Sequence, residues 1–295
     1  MERDVIKMRG FAIKKYREGW SGNRIAKELQ IPKRTAYSWV SKYQNCDKQG
    51  LSNKPLGRNT MIVDNKTRRY IIRLREKWDW GPAKIEGYLR EYGPEDIDRI
   101  SHNKIYSILV EEGLNLPIDF VRKTWGKKRF CRLHSNSLWQ TDFKLLDNDN
   151  WICTYIDDHS RFIPGGKEFS ENITGEIALE ILEKAGKKYG FPEQILTDQG
   201  TEFYDAPAKG RKQGITYFTK RLIELGIQHI IASKRRPTTI GKLEAFHKGV
   251  QYEALKLELD YKRYVRYWNN QRPHQELKYK IPKDVYFKDF KNRED

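Results

Sequence analysis

The spacing of apolar residues changes character along the chain. Between residues 11 and 44, Ile13, Tyr16, Ile25, Leu29, Tyr37 and Val40 recur at helical intervals. Gly19, Ser21 as a helix cap, and Ile31-Pro32 break the run into short helices. This is a helix-turn-helix pattern whose second helix begins near Lys33 and presents Lys33, Arg34, Thr35 and Ser38 outward, as for reading a major groove. A small helical bundle with a solvated basic face would show the same pattern. Residues 50–60, GLSNKPLGRNT, lack apolar periodicity and read as a linker. There Lys54 and Arg58 could lie in a minor groove or serve a plain spacer. Residues 63–116 repeat the helical logic: W-S-G-N-R-I-A-K-E-L is answered by W-G-P-A-K-I-E-G-Y-L, and T-A-Y-S-W-V by K-I-Y-S-I-L. A second helix-turn-helix unit is the natural reading, with Lys104 as its DNA contact, although a structural bundle fits as well.

Past the basic stretch RKTWGKKRF, residues 122–130, the period shortens to two. SLWQTDFKLL, WICTYIDDHS and RFIPGGKEF predict a meander of three strands. A helix at TGEIALEILEKAGKKYG, a strand at EQILTDQ, a helix at TYFTKRLIELGI and a strand at QHIIAS follow. One long helical run from Gly241 to near Tyr267 and a Pro-containing tail end the chain. The order β-β-β-α-β-α-β-α predicts an α/β class, a mixed sheet flanked by helices, preceded by all-α modules. The expected organisation is 1–49 helix-turn-helix, 50–62 linker, 63–120 second module, 121–134 basic linker, 135–260 catalytic core and 261–295 a tail packed on the core.

Charge adds a partner to this picture. The net +17 is uneven: residues 1–130 carry 29 Lys and Arg against 16 Asp and Glu, residues 131–295 carry 28 against 24. A basic N-terminal half favours a polyanion, because each cation on a phosphate releases counterions. A membrane surface is the rival, but no apolar run of spanning length or signal-type segment is present, so DNA in the cytoplasm, on the nucleoid, is expected. Cys46, Cys131 and Cys153 are scattered and read as free thiols. With no zinc-like histidine spacing, any metal should be a hard cation on oxygen ligands.

Three acids meet that expectation. Strand alternation puts Trp139, Thr141, Phe143 and Leu145 on one face and Gln140, Asp142 and Lys144 on the other. An aspartate within such a strand is costly to bury unpaired. Asp198 ends the strand I-L-T-D, where a sheet delivers side chains to its rim. On the last helix Leu243, Phe246, Val250 and Leu257 form an apolar stripe, leaving Glu244, His247, Lys248 and Gln251 on a neighbouring face. Carboxylates gathered together repel unless neutralised, and two Mg²⁺ or Mn²⁺ ions would neutralise them. Singly, each acid has an ordinary reading: a partner for Lys144, a cap, a solvated helix charge.

The strings L-W-Q-T-D-F, Y-I-D-D-H-S-R, I-L-T-D-Q-G-T-E-F, G-K-L-E-A-F-H-K and Y-W-N-N-Q-R-P-H, in this order, resemble the core of insertion-sequence DDE transposases, relatives of retroviral integrase with an RNase H-like fold. The resemblance implies that Asp142, Asp198 and Glu244 are the catalytic, metal-binding triad, with two ions per site. It implies binding of a mobile element's terminal inverted repeats, 3′-end cleavage and strand transfer into target DNA by an oligomer, at least a dimer on DNA. Trp268, Asn269, Arg272, Pro273 and His274 resemble the closing motif, whose expected job is packing the tail. The interval from Asp198 to Glu244 is longer than is common, which makes Glu202 and Asp205 rival acids ranked below Glu244. Asp157 is expected to be structural, with an auxiliary ligand role as the alternative. Lys248 is a candidate phosphate contact and His247 a residue that orients a ligand or phosphate. A DNA-binding regulator with an inactive core and a nuclease that cuts without joining are the competing functions. A tyrosine recombinase is disfavoured, since no tyrosine is set among Arg and His.

Overall fold

The computed structural model describes residues 2–46, 62–115, 131–207, 214–232 and 241–294. Lys54 and Arg58 lie outside the described residues. The chain divides into two units, Met1–Ile62 and Val63–Asp295.

The first unit holds helices α1 (Glu2–Arg17), α2 (Gly22–Glu28) and α3 (Lys33–Cys46). Ser21 caps α2 by accepting a hydrogen bond from the Arg24 N–H. Gln30 takes a φ of 52°, turning the chain out of α2 toward α3. Ala12, Ile25, Ala26, Ala36 and Trp39 form the core. Tyr37, expected inside, is 51% exposed, because the inward stripe of α3 runs through Ala36, Trp39 and Val40 instead. Its ring lies over Gly22, where a methyl group would stand only 2.7 Å away.

The second unit begins with α4 (Asn65–Trp78), α5 (Pro82–Tyr92) and α6 (His102–Glu111). The strands are β1 (Trp139–Leu145), β2 (Trp151–Asp157), β3 (Gly165–Phe169), β4 (Gln194–Thr197) and β5 (Gln228–Ile231). Between and after them lie α7 (Gly175–Tyr189), α8 (Tyr217–Glu224), α9 (Gly241–Lys248), α10 (Tyr261–Asn270) and α11 (Pro282–Glu294). The sheet order is β3-β2-β1-β4-β5. The first three strands are antiparallel, and β4 and β5 run parallel to β1. The chain thus has the α/β, RNase H-like mixed sheet expected of an integrase core, with a helical N-terminal region.

Alternation sorts this sheet into two faces. Trp139, Phe143, Cys153 and Tyr155 pack against Leu179, Leu182, Phe218 and Leu222 of α7 and α8. Ile152 and Ile156 face Leu243, Phe246, Tyr264 and Trp268 of α9 and α10. The same apolar cluster runs on into Ile71, Trp80, Ile85, Leu89 and Ile108, so α4–α6 pack onto the core. Trp80 Nε1 donates to the Tyr267 hydroxyl at 2.8 Å, and Trp78 stacks on that ring with centroids 4.8 Å apart. Beside them Glu253 accepts from Arg272 Nε at 2.7 Å and pairs with Lys84 at 3.6 Å. Burial holds the Lys84 ammonium down at about 8.

The long helix expected from Gly241 to near Tyr267 is broken. After α9 a π-helical turn covers Gly249–Ala254, and α10 starts afresh, capped by Asp260. Glu258 adopts a φ of 53°, which no continuing helix could hold. Farther on, Tyr286 of α11 stacks on Phe162, and Asp289 accepts from the Ser135 N–H at 2.7 Å. Asn269 brackets Ile163, accepting from its N–H and donating to its carbonyl, both at 2.9 Å. Among the described residues, no helix is long and apolar enough to cross a membrane.

Candidate functional site

Asp142 sits in the middle of the central strand, opposite Thr154 of β2, on the face that α9 covers. On the other side β1 pairs with β4 through Trp139↔Ile195 and Gln140↔Leu196. Two more places in that parallel register bring Asp142 alongside Asp198, the first residue after β4. There Asp198 Oδ1 accepts from the Gly200 N–H at 2.9 Å, which turns the chain sharply. A methyl group on Gly200 would meet Glu202 Oε1 and come within 3.1 Å of Asp198 Oδ1, so the Glu202 side chain packs over this turn. The loop thereby folds the Glu202 carboxylate back beside Asp198. Glu244, exposed in the first turn of α9, approaches from the helix side.

The electrostatics join these four acids. Burial, then the charges of Asp198, Glu202 and Glu244, push the Asp142 carboxyl up to about 7, against the Phe143 N–H that donates to it at 2.8 Å. Glu202 acts on Asp142 more strongly than Glu244 does. Asp205 is drawn elsewhere, against Gly214. Among the described residues no three His, Cys, Asp or Glu side chains are gathered closely enough to hold a metal ion. As donors the four acids suit a hard cation, offering carboxylate oxygens around one partly buried acid.

The surroundings hold parts that the sequence did not single out. Lys242, two residues before Glu244, donates to the Asp158 carbonyl at 2.9 Å and pairs with its carboxylate. Gln140 Nε2 donates to the same carboxylate at 2.7 Å. The start of α9 is thus tied to β1 and to the turn after β2. Both residues stand in the strings G-K-L-E and I-D-D-H, yet nothing in their spacing pairs them. On β5, His229 lies 2.9 Å from the Thr197 and Thr219 hydroxyls. Since Thr197 donates to the Asp198 carbonyl at 2.9 Å, it accepts from His229 Nε2–H, and His229 braces the end of β4. Burial keeps that ring neutral, down at about 4.

Other candidates fall into place around this centre. Asp157 is buried, and its carboxylate accepts from the Asn136 N–H at 2.8 Å, the Ser160 N–H at 2.7 Å and the Ser160 hydroxyl at 2.6 Å. Those bonds occupy it as the pin of the turn after β2. His247 is buried among the core residues of α9 instead of lying on the open face beside Glu244. Burial and the nearby Lys144 charge hold it down at about 4. Lys248 is exposed, one turn beyond Glu244. On α3, Lys33 and Arg34 are exposed and Thr35 and Ser38 half-buried; on α6, Lys104 is half-buried. Cys131 and Cys153 are free thiols.

Residues 132–237 match the family described as integrase core domain, and residues 1–51 match the homeodomain-like domain family. The chain is 25% identical over 258 residues to an uncharacterized 39.2 kDa protein of insertion element IS476 of Xanthomonas euvesicatoria, covering 81% of this chain and 68% of that one. It is 24% identical over 153 residues to the putative integrase ORF3 of Spiroplasma virus SpV1-C74, covering 46% of this chain and 42% of that one. Among solved structures, the catalytic core domain of BIV integrase aligns with a TM-score of 0.42 and 14% identity, over 54% of this chain and 99% of that one. The two family matches bear out the resemblance to insertion-sequence transposases with an integrase-like core that the five strings carried.

Proposed function

We propose that this protein cuts and joins DNA, binding the terminal inverted repeats of a mobile element and transferring the cleaved 3′ ends into target DNA. The observation that carries the proposal is Asp142, a partly buried acid on the central strand, in register with Asp198 at the end of β4, whose ionisation is opposed by burial and by the charges of Asp198, Glu202 and Glu244. Asp142, Asp198 and Glu244 would hold two Mg²⁺ or Mn²⁺ ions, which supply the positive charge that activates the attacking oxygen and stabilises charge developing on the phosphate. Asp142, on the central strand, would be one of the carboxylates that hold them.

The chain's own residues do the rest. Phe143 N–H and Gly200 N–H hold the Asp142 and Asp198 carboxylates in place. Lys242 anchors the helix that carries Glu244, and Lys248 lies one turn farther on, where a DNA phosphate could meet it. In the first unit the exposed Lys33 and Arg34 at the start of α3 suit entry into a major groove. In the joining step the 3′ hydroxyl oxygen bonds to a target phosphorus as the bond from that phosphorus to the neighbouring 3′ oxygen breaks. The number of phosphodiester bonds is conserved, so no ATP and no protein-bound intermediate is required. Two ends must be brought together, which calls for at least a dimer on DNA.

Asp142→Asn, Asp198→Asn and Glu244→Gln are each expected to abolish divalent-metal-dependent cleavage of a duplex carrying the element end, while binding to that duplex survives in a gel-shift titration. Near-normal cleavage by any one variant removes that residue from the site.

A further inference from the structure

Helix α4 carries six basic residues, and the unit pairs them unequally. Arg68 bridges Glu111 and Glu112 at 2.7 Å each. Arg75 pairs with Asp79 at 3.0 Å and donates to the Leu114 carbonyl at 3.1 Å. Lys66 pairs with Asp96, and Lys77 lies over the Trp78 ring. Arg69 and Arg73 are both exposed, and among the described residues neither has a carboxylate within ion-pair distance. They stand one helical turn apart on the same face, a like-charge pair at a spacing that is mildly destabilising by itself. Both line an open cleft of about 710 Å³ with Tyr70, Pro94 and Ile97 and with two acids that are already engaged, Asp64, which caps the helix by accepting from the Lys66 N–H, and Asp96, which pairs with the Lys66 ammonium.

We propose that this face of α4 seats the phosphate backbone of double-stranded DNA, an inference that rests on the DNA-acting function above. Four residues of helix separate the two guanidinium stems by about 6 Å along the axis. A DNA strand advances about 3.4 Å per phosphate, so the pair meets phosphates one or two steps apart on one strand. Such contacts position a duplex and carry no sequence information. The seat lies on a helix packed into the core of the second unit, so DNA held there is held to the body that bears the acids. An acidic protein is the other polyanion that could relieve the charge; DNA is favoured because the spacing of the two arginines matches the phosphate repeat and the chain is strongly basic.

Because phosphate contacts ignore sequence, the probe is a labelled duplex of arbitrary sequence, titrated by fluorescence anisotropy from about 50 to about 200 mM salt. Replacing both arginines, Arg69→Gln with Arg73→Gln, should flatten the plot of log affinity against log salt by about 2 and weaken binding roughly 10- to 100-fold at the low-salt end. Lys187→Gln with Lys188→Gln, which removes equal charge from α7, should leave the slope unchanged, and Arg69→Lys with Arg73→Lys should restore it. The lysine pair also guards against misfolding, since it keeps charge and helix alike. A wild-type slope in the glutamine pair overturns the inference, as does loss of polyglutamate binding with DNA binding intact. No salt-dependent DNA binding by the unmodified chain instead overturns the DNA-acting function on which it rests.

Discussion

Asp142 concentrates the cost of the site in one residue. Burial and three like charges oppose its ionisation, so the metal-free protein is less stable for having it. Asp142→Asn, which keeps the shape and removes the charge, should therefore stabilise the metal-free chain by about 1–3 kcal/mol at pH 8, read from urea denaturation. Lower stability in the variant would mean that the carboxylate is already compensated. His229 makes the opposite prediction with pH. Its folded value, about 4, lies below the ordinary 6.5, so as pH falls the unfolded chain takes the proton first. The stability it contributes is complete above pH 6.5 and is lost as pH falls toward 4, amounting to about 1–2 kcal/mol by pH 5. His229→Gln should flatten that part of the stability profile; an unchanged profile contradicts the bracing role. At this scale the sequence makes Asp142, Asp198 and Glu244 candidates because strand alternation, a strand end and a helix face each single out one acid. It could not show Glu202 leading Glu244 in its effect on Asp142, since that depends on how tightly the turn at Gly200 folds back. Nor could it show His247 inside: its spacing fits either face, and packing decides.

Among elements, the strands were legible because their period of two survives in the residues themselves: Trp139, Thr141 and Phe143 against Gln140, Asp142 and Lys144. The break after α9 was not. Leu257 continues the apolar stripe of Leu243, Phe246 and Val250, and only tertiary packing reveals that the chain loosens into a π-helical turn and restarts at Asp260. That turn carries Glu253, a carboxylate that meets both Lys84 of α5 and Arg272. Attraction to those two cations outweighs enough of the burial cost to hold Glu253 below the usual glutamate value. Glu253→Gln leaves two half-buried cations without their carboxylate. It should cost about 1–3 kcal/mol and lower the thermal midpoint. A midpoint within a degree or two of the unmodified protein would show that α5 is held by its apolar contacts alone.

For the whole molecule, the joint between α4–α6 and the core changes where a dissection should fall. Deletion of residues 1–116, the cut suggested by two matched helix-turn-helix modules, would strip Trp80, Ile85 and Ile108 from a cluster that includes Phe246 and Tyr264. Deletion of residues 1–62 follows the division between units. The shorter deletion should melt cooperatively, whereas the longer one should aggregate or melt well below it, as differential scanning calorimetry would show. The internal repeat was readable in the sequence, but the partner its second copy packs against was not, because apolar helix faces do not name what they bury. What the acids do for the whole chain is best tested by joining. A labelled duplex with a free 3′ hydroxyl, its sequence taken from an inverted repeat flanking the gene, is incubated with supercoiled plasmid and Mg²⁺. Covalent transfer of label to the plasmid, lost with chelator or with Asp142→Asn, is the predicted result. Metal-dependent nicks that never carry label, or full transfer by Asp142→Asn, would contradict it.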